Sequence, residues 1–397
     1  MDRILVVSEL FYPEGSGAEY ATYLILKTLA SIGYRVRVLT GTINPAPIDG
    51  VEYYTTSLLG DYDRVRRSLY TLLLTKTKLL HKLLDWCDTV YIPLASYKII
   101  PVAKKLGKRV VVHVHNLVPA YYHGVKYLDE PLEHSLWSEL RYGFRHEIYS
   151  MNSWFRALML PVSYILYRLW REYLCYADTI VVVTKWHKRV LVERAGVSPK
   201  KLVVAYNPLP EIPCGIKPSI GEAIVYTGGS SILKGYPIAL ETLLELFKRG
   251  YRVEAIMAGL DNSVVEKLWS IKYKYKSIRL LPRIKHEKIL ELLANSRILL
   301  FPSIIEEPSP YSIVEAILLY SIPVAFKTES LREIASPLYR EFFIDYKDNP
   351  IESFIEVITK TLSMDKQVLV DYIGEAIDHL YKLMSRDKIV EYLSKIF

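Results

Sequence analysis

Apolar strand-like runs alternate with helix-like segments along most of this chain, and the alternation breaks off once and then resumes. In the first half, strands are expected at Arg3–Ser8, Arg35–Thr40, Thr89–Pro93, Arg109–His115 and Thr179–Thr184. A helix is expected from Ala18 to Ser31, stopped by Gly33. The proline-rich stretch NPLPEIPCGIKPSIGE, residues 207–222, interrupts the pattern and reads as a linker. Strand Ala223–Thr227, helix Pro237–Arg249, strand Val253–Ala258, helix Glu287–Asn295 and strand Ile298–Phe301 then follow, and the chain is mostly helical after about residue 350. Strands alternating with helices argue for a parallel sheet wound on both faces. A chain of 397 residues is also too long for one ordinary core. The expected fold is therefore α/β with two doubly wound, Rossmann-like parallel-sheet domains. They are placed at 1–206 and 223–375, with residues 376–397 as a separate C-terminal helix.

Composition removes several classes. Hydrophobic residues at 51% and charged residues at 24% describe a chain that folds rather than a disordered one. A net charge of +8 attracts polyanions such as nucleotide-sugars, anionic lipid surfaces or nucleic acid. The basic residues are scattered and no recognition motif is visible, so nucleic acid is not an expected partner. The three cysteines, Cys87, Cys175 and Cys214, lie far apart and form no C-x-x-C, as in a reducing compartment. The opening MDRILVVSEL reads as a strand and not as a signal peptide. The stretch Ala157–Tyr167 is too short to span a bilayer, which takes ~20 residues. A cytoplasmic location is expected.

The segment FPSIIEEPSPYSIVEAILLYSIPVA, residues 301–325, concentrates chemistry. A buried strand ends in Pro302 and Ser303, and a loop stiffened by Pro308 and Pro310 carries Glu306 and Glu307. Ser309 or Ser312 is expected to cap a helix that begins near Tyr311 and carries Glu315. Backbone N–H groups at such a helix start can hold a phosphate, and carboxylates accept hydrogen bonds from vicinal hydroxyls. The alternative is a pair of surface glutamates.

Five further features bear on function. The loop Glu14-Gly15-Ser16-Gly17-Ala18-Glu19 follows the first strand, and its glycines admit a phosphate or sugar close to the backbone. It lacks the third glycine and the acidic residue of a dinucleotide site, which disfavours NAD. Thr227-Gly228-Gly229-Ser230-Ser231, with Lys234 beyond it, suits a diphosphate and can neutralise a departing nucleotide. His113 and His115 share one face of a strand, where two ligands are too few to claim a metal. Asp61-Tyr62-Asp63 has metal-binding spacing, but lies in a loop and reads as surface charge. The stretch 119–170 is rich in Trp, Tyr and Arg, and residues 64–84 form a second basic apolar segment. Such segments either bind membrane interfaces or pack as ordinary helices with snorkelling arginines.

The Glu307–Glu315 spacing resembles the E-x7-E motif of retaining GT-B glycosyltransferases of family 4 (glycosyl transferases group 1). Other motifs follow in the family's order over residues 1–340: RILVVSELFYPEGSGAE, His115-Asn116, Tyr206-Asn207-Pro208, YTGGSSILKG, IMAG, and Ile322-Pro323-Val324. The resemblance implies a metal-independent hexosyltransferase that uses a UDP- or GDP-linked sugar and needs no cofactor. It implies that Glu307 binds sugar hydroxyls, Glu315 the ribose, and Lys234 with Gly228 and Gly229 the diphosphate. Ser309, Tyr311 and Ser312 would border the donor, Gly15 and Gly17 the inner site, and His115 the sugar. It also implies a C-terminal helix returning to the first domain. The acceptor would be a glycan or a lipid-linked sugar, with the protein peripheral at the inner membrane face. Two departures stand out: Gly229 occupies a place where the family often has arginine, and the 119–170 insertion is unusual. A phosphorylase or epimerase of the same architecture, or a silent sugar-binding scaffold, are the alternatives.

Overall fold

The computed structural model describes residues 2–132, 135–268, 274–347 and 349–397. It forms two compact units, the first comprising Met1–Val125, Pro131–Pro208 and Leu383–Phe397, the second Lys126–Glu130 and Leu209–Lys382.

In the first unit, strands β1 (Arg3–Ser8), β2 (Arg35–Thr40), β3 (Val51–Thr55), β4 (Thr89–Ile92) and β5 (Arg109–Val114) come first. The short β6 (Lys126–Tyr127) pairs within the second unit, and β7 (Thr179–Val182) and β8 (Leu202–Val204) complete the first. Their order is β3-β2-β1-β4-β5-β7-β8, and every pairing is parallel. Leu5, Val7, Val90, Ile92, Val110 and Val112 enter one core, while Ile4, Val6, Tyr91 and Val111 enter another on the opposite face. This is the period-2 alternation of a sheet covered on both sides.

The helix Arg386–Ile396 covers part of the second face, burying Ile389, Leu393 and Ile396 beside Ile25 and Val38. Arg109 clamps its end by donating to the carbonyls of Phe397 and Ile396 at 2.9 and 2.6 Å. The segment that joins the first unit begins at Leu383, and residues 376–382 stay with the second.

The 119–170 stretch folds into helices Leu136–Arg145 and Trp154–Leu158, and the helix Leu160–Leu174 extends beyond it. Arg194 and Glu139, both buried, pair at 3.3 Å, with the Arg194 guanidinium 4.0 Å above the Tyr121 ring. Glu147 takes Arg156 at 2.7 Å and the Tyr122 hydroxyl at 3.1 Å. Trp170 donates to Ser68 of the helix Arg64–Leu74 at 2.9 Å, which ties the two basic segments together.

In the second unit, β9 (Ala223–Tyr226), β10 (Ala255–Leu260), β11 (Ile278–Pro282) and β12 (Ser296–Phe301) precede β13 (Ile305–Glu306), β14 (Ile322–Phe326) and β15 (Phe343–Ile344). The parallel sheet runs β11-β10-β9-β12-β14-β15, and β13 pairs with β6 in a separate antiparallel ribbon. Pro323 costs β14 no ladder bond on its β15 side, because β15 pairs only with Ala325 and Phe326.

Candidate functional site

Each sheet reverses its strand order once, between β1 and β4 and between β9 and β12. Helices diverge to opposite faces at such a point and leave a crevice beyond the carboxyl ends of the strands. Gly15 and Gly17 follow β1, Gly228, Gly229 and Lys234 follow β9, and Glu307 and Glu315 follow β12, while His115 follows β5, one strand beyond the first reversal.

In the second unit, Thr227-Gly228-Gly229 leaves β9 and Pro302-Ser303 leaves β12. Lys234 Nζ makes a short ion pair with Glu307 Oε2, and Ser303 Oγ donates to Glu307 Oε1 at 2.9 Å. A side chain on Gly228 would sit 2.8 Å from Lys234 Cβ and 2.5 Å from the Tyr226 hydroxyl. Gly235 has φ +73°, and its Cβ would lie 1.8 Å from the Pro302 carbonyl. These contacts let the β9 turn lie against the β12 loop and bring Lys234 to Glu307. Gly229 has φ +65° and would place a Cβ 2.8 Å from the Gly259 carbonyl. Arginine is thus sterically disfavoured at 229 by the turn itself. Ser230 Oγ accepts from the Asp261 N–H at 2.8 Å, and Asp261 lies 3.6 Å from the exposed Arg283 guanidinium. Lys327 is paired with Asp345 at 3.1 Å.

The neighbouring glutamates divide the work. Glu306 is buried, opposite Lys126 at 3.6 Å, and accepts from the N–H groups of Glu329 and Ser330 at 2.9 and 3.2 Å. Burial raises its pKa, opposed by Lys126 and these N–H groups. Glu306, the last residue of β13, pins the loop, while Glu307, just beyond it, meets Lys234. Sequence reading gave Glu306 no role, because its partner Lys126 lies far off in the chain. Glu315 is buried in the helix Tyr311–Leu318 and takes His286 Nε2 at 2.8 Å. The bond to Glu315 raises the His286 pKa, and burial opposes it. The helix starts at Tyr311 as expected, but neither Ser309 nor Ser312 caps it. Pro310 occupies the N-cap position and makes no side-chain cap bond.

In the first unit, Gly15 has φ +92° and Gly17 opens the helix Gly17–Ser31. Glu19 folds back and accepts from the Ser16 N–H at 2.6 Å and from Ser16 Oγ at 3.0 Å. The chain's own carboxylate thus holds this helix start, where a second negative charge is disfavoured. Hydroxyl groups still fit, since carboxylates accept them.

His113 and His115 do share a face, their rings stacked at 4.0 Å. The Tyr91 hydroxyl meets His113 Nδ1 at 2.8 Å, while His113 Nε2 and both ring nitrogens of His115 are without a hydrogen-bond partner. Burial pushes His115 down to about 3, so its imidazole is neutral at ordinary pH. His187, fully buried on the helix Lys185–Glu193, is likewise pushed down to about 3, by burial and then by His115. The sequence gave no signal for His187. Asp63 caps the helix Arg64–Leu74, accepting from Val65 and Arg66 N–H at 3.0 Å each, which gives it a structural role. Among the described residues, no group of three or more His, Cys, Asp or Glu is arranged to hold a metal ion, and no helix is long and apolar enough to cross a membrane.

Residues 15–210 match the family model for Glycosyltransferase Family 4, and residues 220–376 match that for Glycosyl transferases group 1. No curated protein matches the chain in sequence. Among solved structures, the chain is similar to Anabaena HepE in complex with UDP-glucose, at 16% identity and TM-score 0.65, covering 100% of both chains. It is similar to sucrose-phosphate synthase from Thermosynechococcus elongatus, at 12% identity and TM-score 0.72, covering 100% of this chain and 98% of the other. The catalytic domain of Arabidopsis thaliana starch synthase IV, bound to ADP and acarbose, matches at 12% identity and TM-score 0.64, covering 99% of each. These likenesses carry the fold, which is GT-B.

Proposed function

The chain belongs to the glycosyltransferases of family 4 and group 1, and from that premise we propose that it moves a hexose from a nucleoside diphosphate sugar with retention of configuration. The observation that carries this reading is the Lys234–Glu307 pair at the strand reversal of the second sheet. A cation and a hydroxyl-binding carboxylate stand side by side there, as a sugar diphosphate requires. Lys234 stabilises the diphosphate as the glycosidic bond breaks, an interaction strongest in the transition state. Glu307 then turns to the sugar hydroxyls, and Glu315, oriented by His286, accepts from the ribose diol. Ser309, Tyr311 and Ser312 border the donor at the helix start. Arg283, linked through Asp261 to Ser230 of the glycine turn, supplies the second cation that Gly229 cannot. In the first unit, neutral His115 and Glu19 beside Gly15 and Gly17 are suited to sugar hydroxyls.

The leaving phosphate accepts the acceptor's proton on the face it vacates, so no side-chain base and no metal is needed. The acceptor is a glycan carried on a lipid at the cytoplasmic face of a membrane. The test is nucleotide release from UDP-, GDP- and ADP-sugars in EDTA, with wild type beside Glu307→Ala. Donor-selective release that collapses in the variant is the expected result. Absence of binding and release across the panel would favour a silent sugar-binding scaffold, the reading that the arginine-less glycine turn favours.

A further inference from the structure

The helix Leu160–Leu174 is apolar on two opposite faces. Leu160, Tyr167, Trp170 and Leu174 are buried against the first unit. On the outer side, Val162, Ile165 and Leu169 are exposed, Ile165 at 62%. The preceding short helix continues this outer stripe with Phe155 and Leu158, 73% and 76% exposed. Trp154, also exposed, meets Phe144 edge-on at 6.0 Å. The helix Arg64–Leu74, joined through the Ser68–Trp170 bond, exposes a second stripe of Val65, Leu69, Leu72 and Leu73. A soluble surface helix presents polar residues on its outer side, and one apolar all round is covered by something.

The charges identify what covers it. Lys76, Arg141 and Arg168 are exposed on or beside these helices, and Arg66 is exposed but paired with Asp63 at 3.3 Å. The carboxylates Glu139 and Glu147 are buried and held by Arg194 and Arg156, leaving Glu172 as the exposed acid of residues 136–174. A second copy docking through the same face would set arginine against arginine, since a two-fold interface is self-complementary. An anionic surface meets both features at once, taking the aromatic and aliphatic stripe into its interfacial layer and the guanidinium groups onto its phosphates.

We infer that the two outer stripes of the first unit form a monotopic docking face for an anionic phospholipid bilayer. The inference is separate from the donor chemistry, because docking is read without turnover. The full chain is tested by flotation with vesicles of phosphatidylcholine alone and of phosphatidylcholine with phosphatidylglycerol. The expected result is binding to the anionic vesicles only, weakened by salt. Leu158→Glu and Ile165→Glu should each lower partition by about tenfold or more, the loss of one inserted aliphatic side chain, and Arg141→Gln with Arg168→Gln should lower it further. Thermal unfolding midpoints near wild type show that these exposed-site variants fold. Wild type that stays off anionic vesicles, or Glu variants that float as wild type does, would overturn the inference. So would self-association that Leu158→Glu abolishes, since it would assign the face to a second copy. Vesicle binding without nucleotide release would leave docking standing and remove the proposed reaction, and release without vesicle binding would do the reverse.

Discussion

Two glycine turns leave two first strands, and they reach opposite electrostatic ends. The turn after β1 carries Gly15 and Gly17, and the turn after β9 carries Gly228 and Gly229. Both contain a glycine at positive φ, and both sit where a sheet reverses its order. Yet Glu19 bends back into the first and holds its N–H group, while the second presents Lys234, balanced by Glu307 from the loop beyond β12. Glycine spacing sets how closely a ligand can approach. The side chain a few residues later decides which charge the ligand must bring.

Removing the cation breaks the contrast most directly. Lys234→Ala should lower the transfer rate on the order of 10²–10³-fold, as for loss of one preorganised donor to a developing anion. Because Glu307 also loses its partner, Lys234→Met should rescue the rate no better. Steady-state kinetics with saturating donor reads the effect. A loss confined to donor affinity would place Lys234 in ground-state binding alone.

The two turns should also differ in their tolerance of a methyl group. At Gly235 an added Cβ meets the Pro302 carbonyl, which is backbone. Gly235→Ala should destabilise by about 3 kcal/mol or more, as steric and dihedral strain combine. At Gly15 the nearest atoms belong to the movable Glu19 side chain, so Gly15→Ala should cost only about 1–2 kcal/mol of dihedral strain. Urea unfolding of both variants tests the order, and equal losses would show that Glu19 is as fixed as backbone.

Glu19→Gln keeps the shape and removes the charge. It should cost about 1 kcal/mol of stability, the usual weight of a helix-start bond, and weaken sugar binding severalfold, because the charge-assisted hydroxyl contact is lost. Tighter binding of inorganic phosphate by the variant would show that Glu19 is what bars anions from this turn.

The smallest effect concerns His286, whose pKa is raised from 6.5 by its bond to Glu315. A raised folded-state pKa gives stability that is fully present below the unfolded value and fades as pH climbs through the folded one. With 38% of the His286 side chain exposed, screening holds the contribution under about 1 kcal/mol. Wild type should therefore lose this increment between pH about 6.5 and the alkaline side, and His286→Asn should flatten it. A pH-independent difference between the two would separate the bond from protonation.

The two sheets were legible because strands buried on both faces read as apolar runs: β1, β5 and β12 are of this kind, while β2, RVRVLT, was legible from its alternating pattern. The strand β3, VEYYT, lies at the sheet edge without a buried residue, and its mixed composition hid it. β6 and β15 are two residues each, too short to carry a period. At the site, Lys234 and Glu307 could be named from their motifs. Their direct pairing could not, because it depends on the Gly235–Pro302 approach across two strands. The serine cap failed for a local reason: Pro310, already extended, took the position that either serine needed.

The return of residues 383–397 to the first unit has a consequence for biosynthesis. A nascent chain ordinarily completes its leading domain first, at about 5–20 residues per second. Here the groove over Ile25, Val38 and Tyr91 stays open while the whole of 209–382 is translated, on the order of ten seconds. During that interval a basic, apolar-faced unit emerges unfinished beside the ribosome, and the trailing domain can mature before the leading one closes.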